Sequence, residues 1–242
     1  MRNPPDTWVR ADDNIALLRV LSYDQWWDGI GKKTRNMVRK AERSAISTEV
    51  AEPNQLLAKG IWRIYNETPI RQGRRFPHYG ISLDAVLGDV TSSGDGAFIG
   101  AYFQGEPIGF IKLVRGDNIL IISQILSMQQ QRDKGINNAL VAKAVEICSN
   151  EQRQWIMYGR VGNHPSLDVF KINNGFVRYP LTRYYLPLSP KGRFATAIGL
   201  HRKLRDILPP PLKYPLIPVS NWLSRTMARL GGLRRRQRLQ AG

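Results

Sequence analysis

Three runs of apolar, β-branched and aromatic residues follow one another in the middle of the chain: AFIGAYF (97–103), PIGFIKLV (107–114) and ILIISQIL (119–126). The breaks between them, Gln104-Gly105-Glu106 and Arg115-Gly116-Asp117-Asn118, are turn residues, so the pattern predicts an antiparallel meander of three strands. Past the glutamine cluster the period changes. Ile136, Leu140, Ala144 and Ile147 share one face of a helix that starts at Arg132-Asp133-Lys134-Gly135-Ile136-Asn137. WIMYGRV (155–161) then predicts a strand, FKINNGF (170–176) the end of a helix, and 183–188 a last strand.

Upstream, Thr7 to Arg10 and Ile15 to Val20 predict a hairpin about the polar Ala11-Asp12-Asp13-Asn14. Ser22 and Gln25 have capping-box spacing ahead of a helical segment with Trp26 and Trp27. KKTRNMVRKAERS (32–44) is amphipathic, with Val38, Ala41 and Ala45 on one face and Lys32, Arg35, Arg39 and Arg43 on another. Asn54 to Glu67 carries Leu57, Ile61 and Ile64 on one face, and Pro69 ends that helix. The sum is an α+β fold, a mixed and mostly antiparallel sheet flanked by helices, without internal repeats.

Charge divides this chain. Residues 191–242 hold 12 of the 36 Lys and Arg and one acid, Asp206, so of the net +17 about +11 lies there and about +6 in the first 190 residues. We therefore expect one domain over 7–188 and a basic appendage over 189–242. In the appendage, Trp222, Leu223, Met227 and Leu230 alternate with Arg225 and Arg229 in a short amphipathic helix, between Pro209-Pro210-Pro211 and Arg234-Arg235-Arg236. Its apolar face suits the domain itself, an anionic membrane surface or a partner. Its charge suits RNA or phospholipid.

A single cysteine, Cys148, excludes an intramolecular disulfide framework and fits a reducing compartment. There is no signal pattern and no apolar run near the roughly 20 residues that span a bilayer, so the expected location is cytoplasmic, with peripheral contact at the inner membrane surface left open. His78, His164 and His201 show no ligand spacing, so no metal is expected, and no GxSxG elbow suggests a serine nucleophile.

A strand that ends where a helix begins, at a basic glycine-containing turn, presents unbonded N–H groups and the positive end of a helix dipole, which suits phosphate. This stretch resembles the acyl-CoA pyrophosphate loop of the GNAT superfamily of N-acyltransferases, Arg/Gln-x-x-Gly-x-Gly/Ala, with Arg132 and Gly135 in place and Asn137 where that family usually has a small residue. Asn163, Ser166, Phe170 and Gly175-Phe176 follow the family's next motif. Phe170 stands where many members carry a proton-donating tyrosine, and Lys171 is beside it. That pair is similar to the Fem-type (FemAB-like) branch, whose members use aminoacyl-tRNA or acyl-CoA donors.

The resemblance implies an acyltransferase that moves an acyl group from acetyl-CoA or another acyl-CoA to an amine by direct transfer. Backbone amides from Arg132 to Asn138, through Lys134, Gly135, Ile136 and Asn137, would hold the pyrophosphate. Leu126 and Ser127 would pair with the pantetheine arm. Lys171 would stabilise the oxyanion or thiolate, with Tyr158 as a further proton donor, and Glu67, His78 or water as the base. By the same likeness the polar stretch 66–80 borders an acceptor site, where Arg71, Arg74 and Arg75 can clamp an anionic group beside His78 and Tyr79, with Arg160 and Asn163 as further candidates for binding the acceptor. Two alternatives stay open: an aminoacyl-tRNA-dependent transferase, and a non-catalytic anion or membrane-surface module on the same fold. The acyl group, the acceptor and the oligomeric state are not legible.

Overall fold

The structure is a computed structural model and describes residues 8–92, 96–162 and 164–199. Thr7, Asn163, His201 and the appendage features from Pro209 to Arg236 lie outside the described residues. Two compact units are present, a larger one of Asn14–Glu67 with Gly80–Pro180, and a smaller one drawn from Met1–Asp13, Thr68–Tyr79 and Leu181–Gly242.

In chain order the elements are β1 (Val9–Arg19), α1 (Tyr23–Gly29), α2 (Lys32–Arg43), β2 (Ile46–Ala51), α3 (Gln55–Asn66), β3 (Ile70–Arg71), β4 (Arg74–Arg75) and α4 (Leu83–Thr91). They continue with β5 (Gly96–Phe103), β6 (Glu106–Arg115), β7 (Ile119–Ser127), a 3-10 turn (Gln129–Lys134), α5 (Ile136–Asn150), β8 (Trp155–Met157), α6 (Pro165–Asn173), β9 (Val177–Tyr185) and α7 (Pro190–Ala197). Seven strands form one sheet in the order β2-β5-β6-β7-β8-β1-β9. The β7–β8 pair is parallel, whereas β2–β5, β5–β6, β6–β7 and β8–β1 are antiparallel. This is the mixed, mostly antiparallel sheet that the pattern predicts.

The expected opening hairpin does not form. β1 runs straight through Ala11–Asn14 because Asp13 and Asn14 are buried there and matched from outside the strand. Asp13 pairs with Arg183, and the Asn14 side-chain oxygen accepts from the Val161 N–H at 2.9 Å. Two strands have other bounds than expected: β8 stops at Met157 rather than Val161, and β9 starts at Val177 rather than Arg183. β2, α4, the β3–β4 hairpin and α7 are additional elements. Among the described residues no helix is long and apolar enough to cross a membrane, and no group of His, Cys, Asp or Glu could hold a metal.

Each sheet face of the larger unit has its own helical cover. On one side the Tyr65 ring of α3 meets Phe110 edge-on at 5.9 Å, and Asp89 of α4 pairs with Lys112 at 2.7 Å. On the other side α5 lies so close that a Cβ on Gly109 would come within 2.7 Å of the Ile136 side chain. Ile136 and Leu140 are fully buried there, and truncating either to alanine would cost about 2–5 kcal/mol. α1 and α2 share this core through Trp26, Ile30, Val38 and Ala41.

Candidate active site

β7 and β8 are hydrogen-bonded only over Ile119–Ile121 and Trp155–Met157. β7 runs on to Ser127, paired with β6 to its end, but β8 no longer accompanies it. Two features cause the parting. In the β6–β7 ladder Lys112 faces Gln124 and Leu113 faces Ile122, so Ser123 is an extra residue, and its hydroxyl donates to the Lys112 carbonyl at 2.9 Å. Such a bulge bends and twists its strand. On the other side Tyr158 N–H donates to Ala16 O at 2.9 Å and Ala16 N–H to Gly159 O at 2.8 Å, so the chain after β8 follows β1 away from β7. Leu126 and Ser127 lie on the part of β7 that has lost its parallel neighbour.

Beyond β7 the basic turn is a 3-10 segment ending at Gly135, whose φ of 76° is left-handed. Glycine is required there for a second reason as well: a Cβ would collide with the Met37 carbonyl oxygen of α2. α5 begins next, and the N–H groups of Ile136 and Asn137 precede the first bonds to Gly135 O, made by Asn138 at 3.0 Å and Ala139 at 3.1 Å. The Asn137 side-chain oxygen is buried there without a hydrogen-bond partner. Arg132 is exposed, Lys134 lies over the Phe103 ring at 4.6 Å, and Asp133 pairs with Lys40 of α2 at 3.4 Å. Glu67 holds the start of the turn, accepting from Gln129 N–H at 2.7 Å and Gln130 N–H at 3.1 Å.

Where β8 has ended, Lys171 enters from α6. It is 2% exposed; its ammonium donates to the Arg160 carbonyl at 2.7 Å and lies 4.5 Å from the centre of the Tyr158 ring. Burial lowers its pKa from the usual lysine value, and the Asp168 charge one turn earlier works against that shift. The Tyr158 phenol is raised by burial, so it stays protonated. Asp168 accepts from Gly162 N–H at 2.9 Å through one oxygen, while its other oxygen is buried without a partner.

The end of α6 is fixed by its cap. Gly175 has φ of 88°, Phe176 N–H bonds Lys171 O at 3.0 Å and Gly175 N–H bonds Ile172 O at 2.9 Å, a Schellman termination. Asn174, fully buried, accepts from Trp26 Nε1 at 3.0 Å through its carbonyl and from Asn138 Nδ2 at 3.3 Å through its side chain. The turn that carries Lys171 is thereby tied to α1 and to the first turn of α5. The larger unit thus gathers Leu126, Ser127, Arg132 to Asn138, Tyr158, Arg160, Lys171 and Glu67 around the parting strands and the turn beyond β7.

Arg71, Arg74, Arg75, His78 and Tyr79 belong to the smaller unit, on and after the β3–β4 hairpin. Arg71 stacks over Phe76 at 5.0 Å, Phe76 meets His78 at 5.3 Å, and Arg74, Arg75 and Tyr79 are exposed. Sequence reasoning missed Ser123, Asp168 and Asn174. Asp168 had a signal, its spacing of three from Lys171 on one helix face, and so did Asn174, a polar residue just before the glycine cap. Ser123 had none, because a bulge shows only against its partner strand.

Residues 59–176 match the profile described as the acetyltransferase (GNAT) family. No curated protein matches the sequence. Among solved structures, FemX is similar with a TM-score of 0.59 at 11% identity, over 80% of this chain and 65% of FemX. L-PGS from Bacillus licheniformis is similar with a TM-score of 0.52 at 13% identity, over 81% of this chain and 68% of L-PGS. At such identities these likenesses show the shared fold, and it is residues 59–176, just under half of the chain, that are similar to the acetyltransferase (GNAT) family.

Proposed function

We propose that this chain transfers an acyl group from an acyl-CoA thioester directly to an amine. The observation that carries the reading is the parting of β7 from β8 beyond Ile121, with a buried lysine ammonium at one side of the gap and the opening turn of α5 at the head of β7. The chain's residues fit such a donor. Ile136 and Asn137 offer N–H groups at a helix start, Arg132 and Lys134 add positive charge, and β7 beyond its pairing with β8, at Leu126, suits an extended amide-bearing arm.

The thioester supplies an acyl carbon already activated toward amines, so no nucleophile of the protein is required. Lys171 supplies charge opposite the oxygen and sulfur where negative charge develops, in a site where burial strengthens it. Its lowered pKa also lets it hand a proton to the departing thiolate, with Tyr158 next to it as a second donor. The attacking amine loses its proton to water or to the unpartnered oxygen of Asp168.

A second reading, with aminoacyl-tRNA as donor, is supported by α2. Its Lys32, Lys33 and Arg43 are exposed, and the helix touches the anion-binding turn through Met37 and Lys40. Calorimetric titration of the full chain with CoA and with bulk tRNA separates the two. Saturable CoA binding with little dependence on salt supports the first reading. Absence of CoA binding together with steeply salt-dependent tRNA binding overturns it in favour of the second.

A further inference from the structure

The last residues of α3 hold two separate pieces of main chain. Asn66 donates from Nδ2 to Trp62 O at 3.0 Å and to Ile81 O at 3.3 Å, and its oxygen accepts from Gly80 N–H at 2.8 Å. The chain leaves the larger unit after Glu67 and rejoins it at Gly80, so Asn66 pins the root of that excursion. Glu67, the next residue, places one carboxylate oxygen on Gln129 N–H and the other on Gln130 N–H. Those two groups open the 3-10 turn and have no acceptor within it, so an anionic cap suits them in charge as well as in geometry. Six residues later the same turn delivers Gly135 and the N–H groups of Ile136 and Asn137.

We infer that Glu67 is a positioning residue of the donor site, and that the Asn66-Glu67 pair couples the root of the 68–79 excursion to the anion-binding turn. The inference deepens the acyl-CoA reading and rests on it for its functional meaning. Successive Cα atoms are fixed about 3.8 Å apart across a trans peptide. A displacement at the root of the excursion therefore shifts the Glu67 carboxylate and, with it, the start of the turn. A carboxylate with both oxygens on main-chain donors is also poorly placed to take a proton from an amine.

Amide hydrogen exchange of the full chain, without ligand, tests the anchoring directly. In Glu67→Ala the Gln129 and Gln130 amides should exchange about tenfold faster or more, as expected for loss of charge-assisted bonds, with Leu140 to Val145 unchanged as the control for folding. Glu67→Gln should retain part of the protection, since its amide oxygen accepts but its nitrogen cannot. Asn66→Ala should speed exchange at Gly80 and, through the coupling, at Gln129 and Gln130. Acceleration at Gly80 alone overturns the coupling.

The functional arm uses acetyl-CoA, with thiol release to water as the readout. Glu67→Gln should raise the KM for acetyl-CoA severalfold while kcat and its pH profile stay as in the unaltered chain. A fall in kcat with loss of the acid limb, at unchanged KM and unchanged exchange, would make Glu67 the base and sink the inference. If the unaltered chain binds no CoA, the donor reading falls, and the exchange experiment still decides whether Glu67 anchors the turn.

Discussion

The two ends of the β7–β8 pair are built from similar residues and left in opposite states. At the closed end Glu151 receives Arg115 through Nε at 3.1 Å and Nη2 at 2.9 Å, and Arg153 through Nε at 2.7 Å. Arg153 also donates to Asp117 O at 2.9 Å, Gln154 N–H to the Asn118 side chain at 2.8 Å, and Cys148, its thiol pushed up to about 11 by burial, faces Arg153 O at 3.3 Å. At the open end side-chain oxygens of Gln131, Asn137 and Asp168 are buried without partners, and a lysine sits at 2% exposure with its charge opposed by burial. Buried polar atoms are normally satisfied, so the unsatisfied ones here fit the donor site proposed above. Density of charge would have pointed to the closed end.

The largest effect should come from testing why the open end needs its glycine. Gly135→Ala adds a Cβ that meets the backbone of α2 and forces a left-handed φ on alanine, which together cost about 3 kcal/mol or more. Gly105→Ala, at φ of 78° in open space, bears the strain alone, about 1 kcal/mol. Urea denaturation of both should separate them. Equal costs would mean that α2 gives way at Met37 and that the close approach is not what selects glycine. For the same reason a bulky residue at 135 is no clean probe of pyrophosphate binding, since it would displace α2 first.

That double duty of Gly135 shows where sequence reading stops. The meander and α5 were legible because their apolar periods are local, whereas α6, whose only buried residue is Lys171, was read from its likeness to a family motif. β1 was misread as a hairpin, since Asp13 and Asn14 look like turn residues until Arg183 and the Val161 N–H meet them. The parting of the strands was not legible at all. It depends on the register of Ser123 against Lys112 and on β1 drawing Tyr158 and Gly159 aside, and neither leaves a mark in composition.

The second effect is functional. Lys171→Met should lower acyl transfer or thiol release about 10²–10³-fold, as does loss of one oxyanion donor elsewhere, and leave CoA affinity within a few fold. Its pH signature has a definite sign. Burial depresses the folded pKa below 10.5, so the unfolded chain binds the extra proton between the two values, and stability rises with pH across that window. The unaltered chain should therefore gain stability relative to Lys171→Met as pH is raised toward 10.5, by denaturation at a series of pH values. No change in the difference would mean that the ammonium is solvated and that the open end is wetter than its burial indicates.

The smallest effect belongs to the closed end, and it carries the comparison's other half. Burial alone would raise the Glu151 pKa, but hydrogen bonds from Arg115 and Arg153 outweigh it and hold the carboxyl below its ordinary value of 4.5. A depressed carboxylate contributes stability that is fully present above the unfolded pKa and is lost as pH falls through the folded one. Glu151→Gln should then cost about 1 kcal/mol at neutral pH, after allowance for solvent screening, and nothing measurable below both pKa values. CoA affinity should be untouched, because this network only fastens the α5–β8 connection to the β6–β7 turn. A change in CoA affinity would show that the closed end sets how far the open end parts, which would merge the two regions into one device.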